Sequence, residues 1–201
     1  MSEPVHPIEV ESYRILHERV DLSGWAAGEL DVVARIIHAT ADVSFAQTCV
    51  IGEKALSRLA AALGAGAPMV VDAHMVAAGI TRYPTVCLLD EIPTAPEGST
   101  RAAAALVRAA KRWPTEAVFV IGNAPTALCE LVALHRAGVV DPTAVIGLPV
   151  GFVGASEAKA ALAASALASR SITNRGERGG SAAAAATVNA VVRRIRRSGS
   201  D

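Results

Sequence analysis

The feature that most restricts the fold is a change of rhythm near residue 68. From there on, short apolar runs rich in β-branched residues alternate with alanine-rich helical segments. The runs fall at 68–71, 86–89, 117–121, 144–146 and, more weakly, 171–172. Between and after them lie helical patterns at 73–78, 100–112, 125–137, 156–166 and 181–196. Strand-then-helix alternation means parallel strands joined by crossover helices. The runs lack polar alternation, as a sheet covered on both faces requires. Right-handed crossovers then give a three-layer α/β/α sandwich with a mainly parallel five-stranded sheet.

The first third reads differently. Apolar residues recur at helical spacing over 8–20 (Ile8, Ile15, Leu16, Val20) and 26–38 (Leu30, Val33, Ile36, Ile37). A third pattern over 53–63 stops at Gly64-Ala65-Gly66. The expectation is extra N-terminal helices leading into an α/β sheet. No internal repeat or linker divides the chain, so 1–201 reads as a single domain, with a charged, then Ser/Gly-rich tail at 193–201 expected to fray.

Composition removes several function classes. Nineteen basic residues balance 19 acidic ones, which argues against a general nucleic-acid binder. Aromatics are 3% of the chain, too few for a base-stacking surface. No uninterrupted apolar run reaches the length of a membrane span. Cys49, Cys87 and Cys129 are far apart and form no Cys-x-x-Cys pair, which fits a reducing compartment. The N-terminal residues show no charged-then-apolar leader pattern, and the expected location is the cytoplasm.

Familiar motifs are missing from the sequence. There is no Gly-x-Gly-x-x-Gly after a strand, no P-loop and no Gly-x-Ser-x-Gly elbow. The five histidines form no His-x-x-x-His pair, so neither a metal nor a nucleotide cofactor is expected. Each strand does end in a polar or glycine-bearing turn: Asp72-Ala73-His74, Asp90-Glu91, Gly122-Asn123-Ala124, Gly147-Leu148-Pro149 and Asn174-Arg175-Gly176. In an open parallel sheet these turns line one crevice, where ligands bind.

Five dense strings remain. They are Arg35-Ile36-Ile37-His38-Ala39-Thr40-Ala41-Asp42, Asp72-x-x-Met75-Val76-x-x-Gly79-Ile80, Ile121-Gly122-Asn123-Ala124-Pro125-Thr126-Ala127-Leu128, Gly147-Leu148-Pro149-Val150-Gly151-Phe152-Val153-Gly154 and Arg175-Gly176-x-x-Gly179-Gly180-Ser181. In this order they resemble the precorrin-8X methylmutases (precorrin isomerases) of cobalamin biosynthesis, over nearly the whole chain from Ile8 to Asn189.

The resemblance implies a cofactor-free isomerase with a flavodoxin-like sandwich, working as a homodimer. It implies migration of a methyl group from C-11 to C-12 of ring C, taking precorrin-8X to hydrogenobyrinate, or the cobalt-bearing substrate to cobyrinate. It implies a tetrapyrrole substrate and a possible hand-off of product to the next enzyme. The family's catalytic histidine falls on His38, and two of its substrate contacts fall on Ser12 and Arg35.

The residues themselves are compatible with this. Arg35 and His38 are three apart, so a helix puts them on one face. A guanidinium beside an imidazole suits a substrate bearing many carboxylates, and histidine can lend and recover a proton near neutrality. Read alone, His38 is a packed or capping residue, Arg35 a solvated charge and Ser12 a surface hydroxyl.

Seven aromatic residues are few for stacking a macrocycle, so substrate recognition is expected to rest on anion contacts. The expected donors are backbone amides of the 122–126 and 149–154 turns, together with Ser12, Arg35 and Arg101. Within the turns, Asn123, Ala124, Thr126, Gly151 and Phe152 are the candidate contacts. Asn123 is equally a cap for the helix opening at Pro125. Asp72 is either a carboxylate behind the site or the cap of the next helix. Arg82 and Arg101 are either anion contacts or exposed charges. A corrinoid carrier with little turnover is the alternative function. A pure carrier would have no need of His38.

Overall fold

The structure is a computed structural model describing residues 6–198; the two ends of the expected domain, 1–5 and 199–201, lie outside the described residues. In chain order the elements are helices α1 (Pro7–Arg19), α2 (Ala27–Thr40) and α3 (Phe45–Thr48), then strand β1 (Cys49–Ile51), helix α4 (Ala55–Gly64) and strand β2 (Met69–Val71). Helix α5 (His74–Gly79), a 3-10 turn (Leu89–Glu91), helix α6 (Arg101–Arg112), strand β3 (Val118–Ile121) and helix α7 (Pro125–Arg136) follow. The chain closes with β4 (Ala144–Gly147), α8 (Ala155–Ala163), a second 3-10 turn (Ala168–Arg170), β5 (Ser171–Asn174) and α9 (Ser181–Ser198). The described part of the tail at 193–201 therefore continues α9 as far as Ser198.

The five strands lie in the order β1-β5-β4-β3-β2. Strands β2 to β5 pair in parallel, whereas β1 runs antiparallel to β5, with Cys49 opposite Asn174 and Ile51 opposite Ile172. The sheet is thus mixed, which corrects the expectation of a mainly parallel sheet built from the five runs. Two physical causes account for the difference. The run 86–89 contributes only a parallel bridge from Val86 to Val70. Beyond it the chain coils into the 3-10 turn, where the Arg101 guanidinium clamps the carbonyls of Leu89 and Ile92 at 2.9 and 2.6 Å. Its place in the count is taken by β1, a three-residue strand squeezed between two helices.

Side chains on the strands alternate between two buried layers, as the period of two demands. Met69, Val71, Val118, Val120, Ile146 and Ile172 face α2, α4 and α9. Val70, Phe119, Ile121 and Val145 face α6, α7 and α8. Helices therefore cover both faces. Alanine lets α9 lie close to its neighbours: Ala183 to Ala186 are buried, and a Cβ on Gly79 or Gly122 would come within 2.7 Å of Ala185 or Ala184. Because β2, β3, β4 and β5 are parallel, the turns after all four open at one edge of the sheet.

Candidate active site

Helix α1 lies against α2 so that two pairs with the same sequence offset meet. The Ser12 hydroxyl is 2.8 Å from His38 Nδ1, and the Arg35 guanidinium donates to Glu9 at 2.7 Å. Spacing of three on each helix carries both pairs to one face. Tyr13 completes the group. Its ring stacks on the His38 imidazole, with centroids 4.9 Å apart and planes 7° from parallel, and its hydroxyl is 3.4 Å from the Arg35 guanidinium. Arg193 of α9 donates to the same Glu9 oxygen at 2.8 Å.

This environment sets the charges. Burial and the Arg35 cation hold the His38 imidazole below its ordinary value, with Glu9 acting in the opposite sense. Burial works to raise Glu9, but hydrogen bonds from Arg193 and Arg35 outweigh it and keep the carboxylate ionised. The cluster is an imidazole whose charged form is disfavoured, beside two cations that share one carboxylate. An arriving carboxylate can compete for Arg35, and neutralising that cation makes His38 more basic.

The end of α2 is tied to the sheet's carboxyl edge. Ala41 takes a left-handed conformation (φ 54°) that stops the helix, and the Asp42 carboxylate accepts from Ser44 N at 3.0 Å. Asp42 also pairs with Arg178, in the loop after β5. Arg175 of that loop donates its backbone N–H to Thr48 O at 2.9 Å. His38 thus sits in the last turn of a helix whose end abuts the crevice.

The turn after β3 is held from within. Both oxygens of the buried Asp72 carboxylate accept from it: Gly122 N at 3.0 Å, Asn123 N at 2.9 Å and Ala124 N at 2.6 Å. Burial raises Asp72 above the usual carboxylate range, and the three N–H donors oppose that rise. Asp72 is therefore the anchor of the neighbouring turn. It does not cap α5, whose N-cap is Ala73. Nor does Asn123 cap α7, whose N-cap is Ala124 with no side-chain bond. The amides of residues 122 to 124 are spent on Asp72, and Gly151 N donates to Glu177 O at 3.1 Å. These four backbone donors are already paired within the protein.

The remaining candidates divide by place. Asn123, Ala124 and Thr126 lie at the end of β3, where the Thr126 hydroxyl meets that of Thr100 at 2.7 Å. Gly151 and Phe152 belong to the loop after β4, where Phe152 and Val153 are 91% and 89% exposed. The Arg101 guanidinium is bonded to the carbonyls of Leu89, in the 3-10 turn, and Ile92, just past it. Sequence reasoning missed Glu9 and Tyr13. The only available signal was their place on the same helix as Ser12, three residues before it and one after it.

Two cavities lie elsewhere: one of about 400 Å³ between the end of α1 and Leu30, and one of about 720 Å³ between α2, α4 and α9. Neither includes His38. Among the described residues no group of three or more His, Cys, Asp or Glu side chains is placed to hold a metal ion, and no helix is long and apolar enough to cross a membrane.

The geometry can be set against known proteins. A family model described as precorrin-8X methylmutase matches residues 7–194. The precorrin-8X methylmutase of a Sinorhizobium species is 40% identical over 195 residues, covering 90% of this chain and 91% of that protein. The cobalt-precorrin-8 methylmutase of Methanothermobacter thermautotrophicus is 36% identical over 194 residues, covering 93% and 92%. A crystal structure of precorrin-8X methylmutase from Thermus thermophilus superposes with a TM-score of 0.84 at 36% identity, covering 96% of this chain and 98% of that one. Likeness of this extent takes in α1, α2 and every turn at the sheet's carboxyl edge, and it makes this chain a member of the precorrin-8X methylmutase family, whose enzymes are isomerases.

Proposed function

We propose that the chain isomerises precorrin-8X, or its cobalt-bearing counterpart, by moving the ring-C methyl group from C-11 to C-12, with His38 as the proton donor and acceptor. The observation that carries this is the pairing of Ser12 with His38 beside Arg35, in a chain of this family. The shift breaks one carbon–carbon bond, forms another and moves double bonds between them, with no net oxidation. What it requires is a macrocycle held in shape and a π-system that is polarised. Protonating the ring-C nitrogen supplies the second requirement, and the proton is recovered afterwards.

The cluster suits both halves of that exchange. When Ser12 donates to Nδ1, the neutral imidazole keeps its one proton on Nε2; to give a proton the ring must first be an imidazolium, so that a neutral imidazole is what remains. When Ser12 accepts from Nδ1, Nε2 is an acceptor or the ring is an imidazolium. Arg35 binds a substrate carboxylate, and the loss of its free charge makes His38 easier to protonate with substrate in place. Asn123, Thr126, Phe152 and Arg101 form the outer part of the site, with Ala124 and Gly151 shaping its backbone.

We read the sandwich as flavodoxin-like. With the Val86 bridge counted beside β2, the parallel elements lie in the order 2-1-3-4-5, and Asp72 marks the point where that order reverses. We also propose a cytoplasmic homodimer with the crevice near its interface, able to pass product to the next enzyme. The exposed Phe152 and Val153 at the crevice rim support an apolar contact there. Light scattering that shows a fully active monomer at micromolar concentration would remove the dimer.

The test of the reaction is single-turnover conversion of precorrin-8X, followed by the appearance of the hydrogenobyrinate spectrum. His38→Ala should lose about 10²–10⁴-fold in rate while keeping its circular dichroism and its affinity for product. A folded variant at the parent rate takes the proton role away from His38. A parent that binds substrate stoichiometrically without converting it is a carrier.

A further inference from the structure

Lys159, on α8, is only 1% exposed. Its ammonium donates to two neutral oxygens, Asn174 Oδ1 at 3.1 Å and the Arg178 carbonyl at 2.5 Å. A buried charge served by neutral acceptors is costly, and an apolar side chain of similar volume would fill the same space more cheaply. Packing alone therefore does not account for it.

The two acceptors show what the ammonium holds. Asn174 ends β5, and its amide donates in turn to the carbonyls of Arg175 and Arg178 at 3.2 and 2.9 Å. The loop 175–178 is thus folded over a Lys159–Asn174 support, with Gly176 at φ 84° making the bend. From its outer side the loop reaches two neighbours. Arg178 pairs with Asp42, just past the end of α2, and Arg175 donates to Gln47 O at 2.7 Å. The Glu177 carbonyl receives Gly151 N from the loop after β4. The same loop joins the buried ammonium to the helix end that bears His38.

We propose that Lys159 is a positioning residue for the isomerisation: its buried ammonium fixes the loop after β5, and the Arg178–Asp42 pair passes that order to the last turn of α2. This rests on the reading of His38 given above. The loop's acceptors are carbonyls, so what counts is a donor at this depth.

The experiment compares Lys159→Met, Lys159→Gln, Arg178→Ala and Asp42→Asn in the full chain. Amide hydrogen exchange is measured first, with single-turnover conversion at saturating precorrin-8X second. Lys159→Met should speed exchange in 175–180 and 38–42 and leave α6 and α7 as in the parent. It should slow conversion by about 10- to 10²-fold, the scale of a misplaced reacting group. Lys159→Gln, which keeps a donor, should recover part of the rate. Arg178→Ala and Asp42→Asn should be slow as well, and Lys159→Met combined with Asp42→Asn should be little slower than the worse single variant. Parent-rate Arg178→Ala, effects that multiply, or exchange in 38–42 unmoved by Lys159→Met would each overturn the proposal. Arg178 is exposed, so its variant decides the matter even if Lys159→Met does not fold. If His38→Ala keeps the parent rate, the proton assignment fails separately, and the exchange data still show whether Lys159 orders the end of α2.

Discussion

The Ser12 hydroxyl oxygen lies 2.8 Å from His38 Nδ1, across a gap of 26 residues in sequence. That contact fixes which imidazole nitrogen is left for chemistry and turns the ring through the same helix pair that brings Glu9 to Arg35. Ser12→Ala removes the orienting partner and leaves Arg35 in place. The expected result is a loss of about tenfold in single-turnover rate, the value of one hydrogen bond of ~1–1.5 kcal/mol. The product dissociation constant should change less than the rate. An unchanged rate in a folded Ser12→Ala variant means the hydroxyl does not orient the ring.

Neighbouring charges give the titration of His38 a direction. Burial and Arg35 lower its value, so in the free protein the imidazolium disappears, as pH rises, before an ordinary histidine would lose its proton. Arg35→Gln deletes a repelling cation and should move the midpoint up. Glu9→Gln deletes an attracting anion and should move it down. The measurement is the His38 ring-proton shift by NMR across pH 4 to 8, with the pH profile of kcat/KM alongside. Shifts in the same direction for both variants would contradict the cluster's electrostatics.

What the sequence revealed follows the range of the interactions involved. Runs such as 117–121 and 144–146 become β3 and β4 because a strand buried on both faces needs apolar residues without a break. Strand β1 escaped notice because three residues cannot display a period, and Cys49–Ile51 exists only through its pairing with β5. The run 86–89 looked equally apolar, yet a guanidinium bonding two carbonyls turned it into a coil. At the site, Arg35 and His38 were legible through the resemblance, and their separation by one helix turn was compatible with it without pointing to it. Glu9 and Tyr13 were not, since they become neighbours of Arg35 and His38 only when α1 docks. Asp72 was readable as a carboxylate at a strand end, but its partners lie 50 to 52 residues away.

Asp72→Asn tests that long-range anchor. The buried carboxylate accepts three backbone N–H groups through two oxygens. An amide offers one oxygen, and its NH₂ group would face at least one of those donors. Leaving a buried N–H unpaired costs ~1–3 kcal/mol. The variant should lose stability by about that amount in urea unfolding, with an unchanged slope, and exchange at residues 122 to 124 should quicken. Equal stability, with equal protection of the 122–126 turn, would show that the turn holds itself.

The stability of the parent should also depend on pH through Lys159. Burial pushes its ammonium down to about 8, against an ordinary value of 10.5, and Glu177 partly opposes the fall. The proton is therefore held less tightly in the folded protein than in the unfolded chain. Below pH 8 both states carry it, and the cost of burying the charge is constant. Between about 8 and 10.5 the folded state has released the proton while the unfolded chain still holds it, so folding gains stability as pH rises. At ~1.4 kcal/mol per unit the gain approaches roughly 3 kcal/mol. Lys159→Gln lacks the group, so subtracting its urea stability from that of the parent isolates the effect from tyrosine and cysteine titration. The difference should stay flat from pH 6.5 to 7.5 and climb in the parent's favour towards pH 10. A difference that stays flat throughout would mean that the ammonium is as well solvated in the fold as in water, and that its two carbonyl-type acceptors fully replace its hydration.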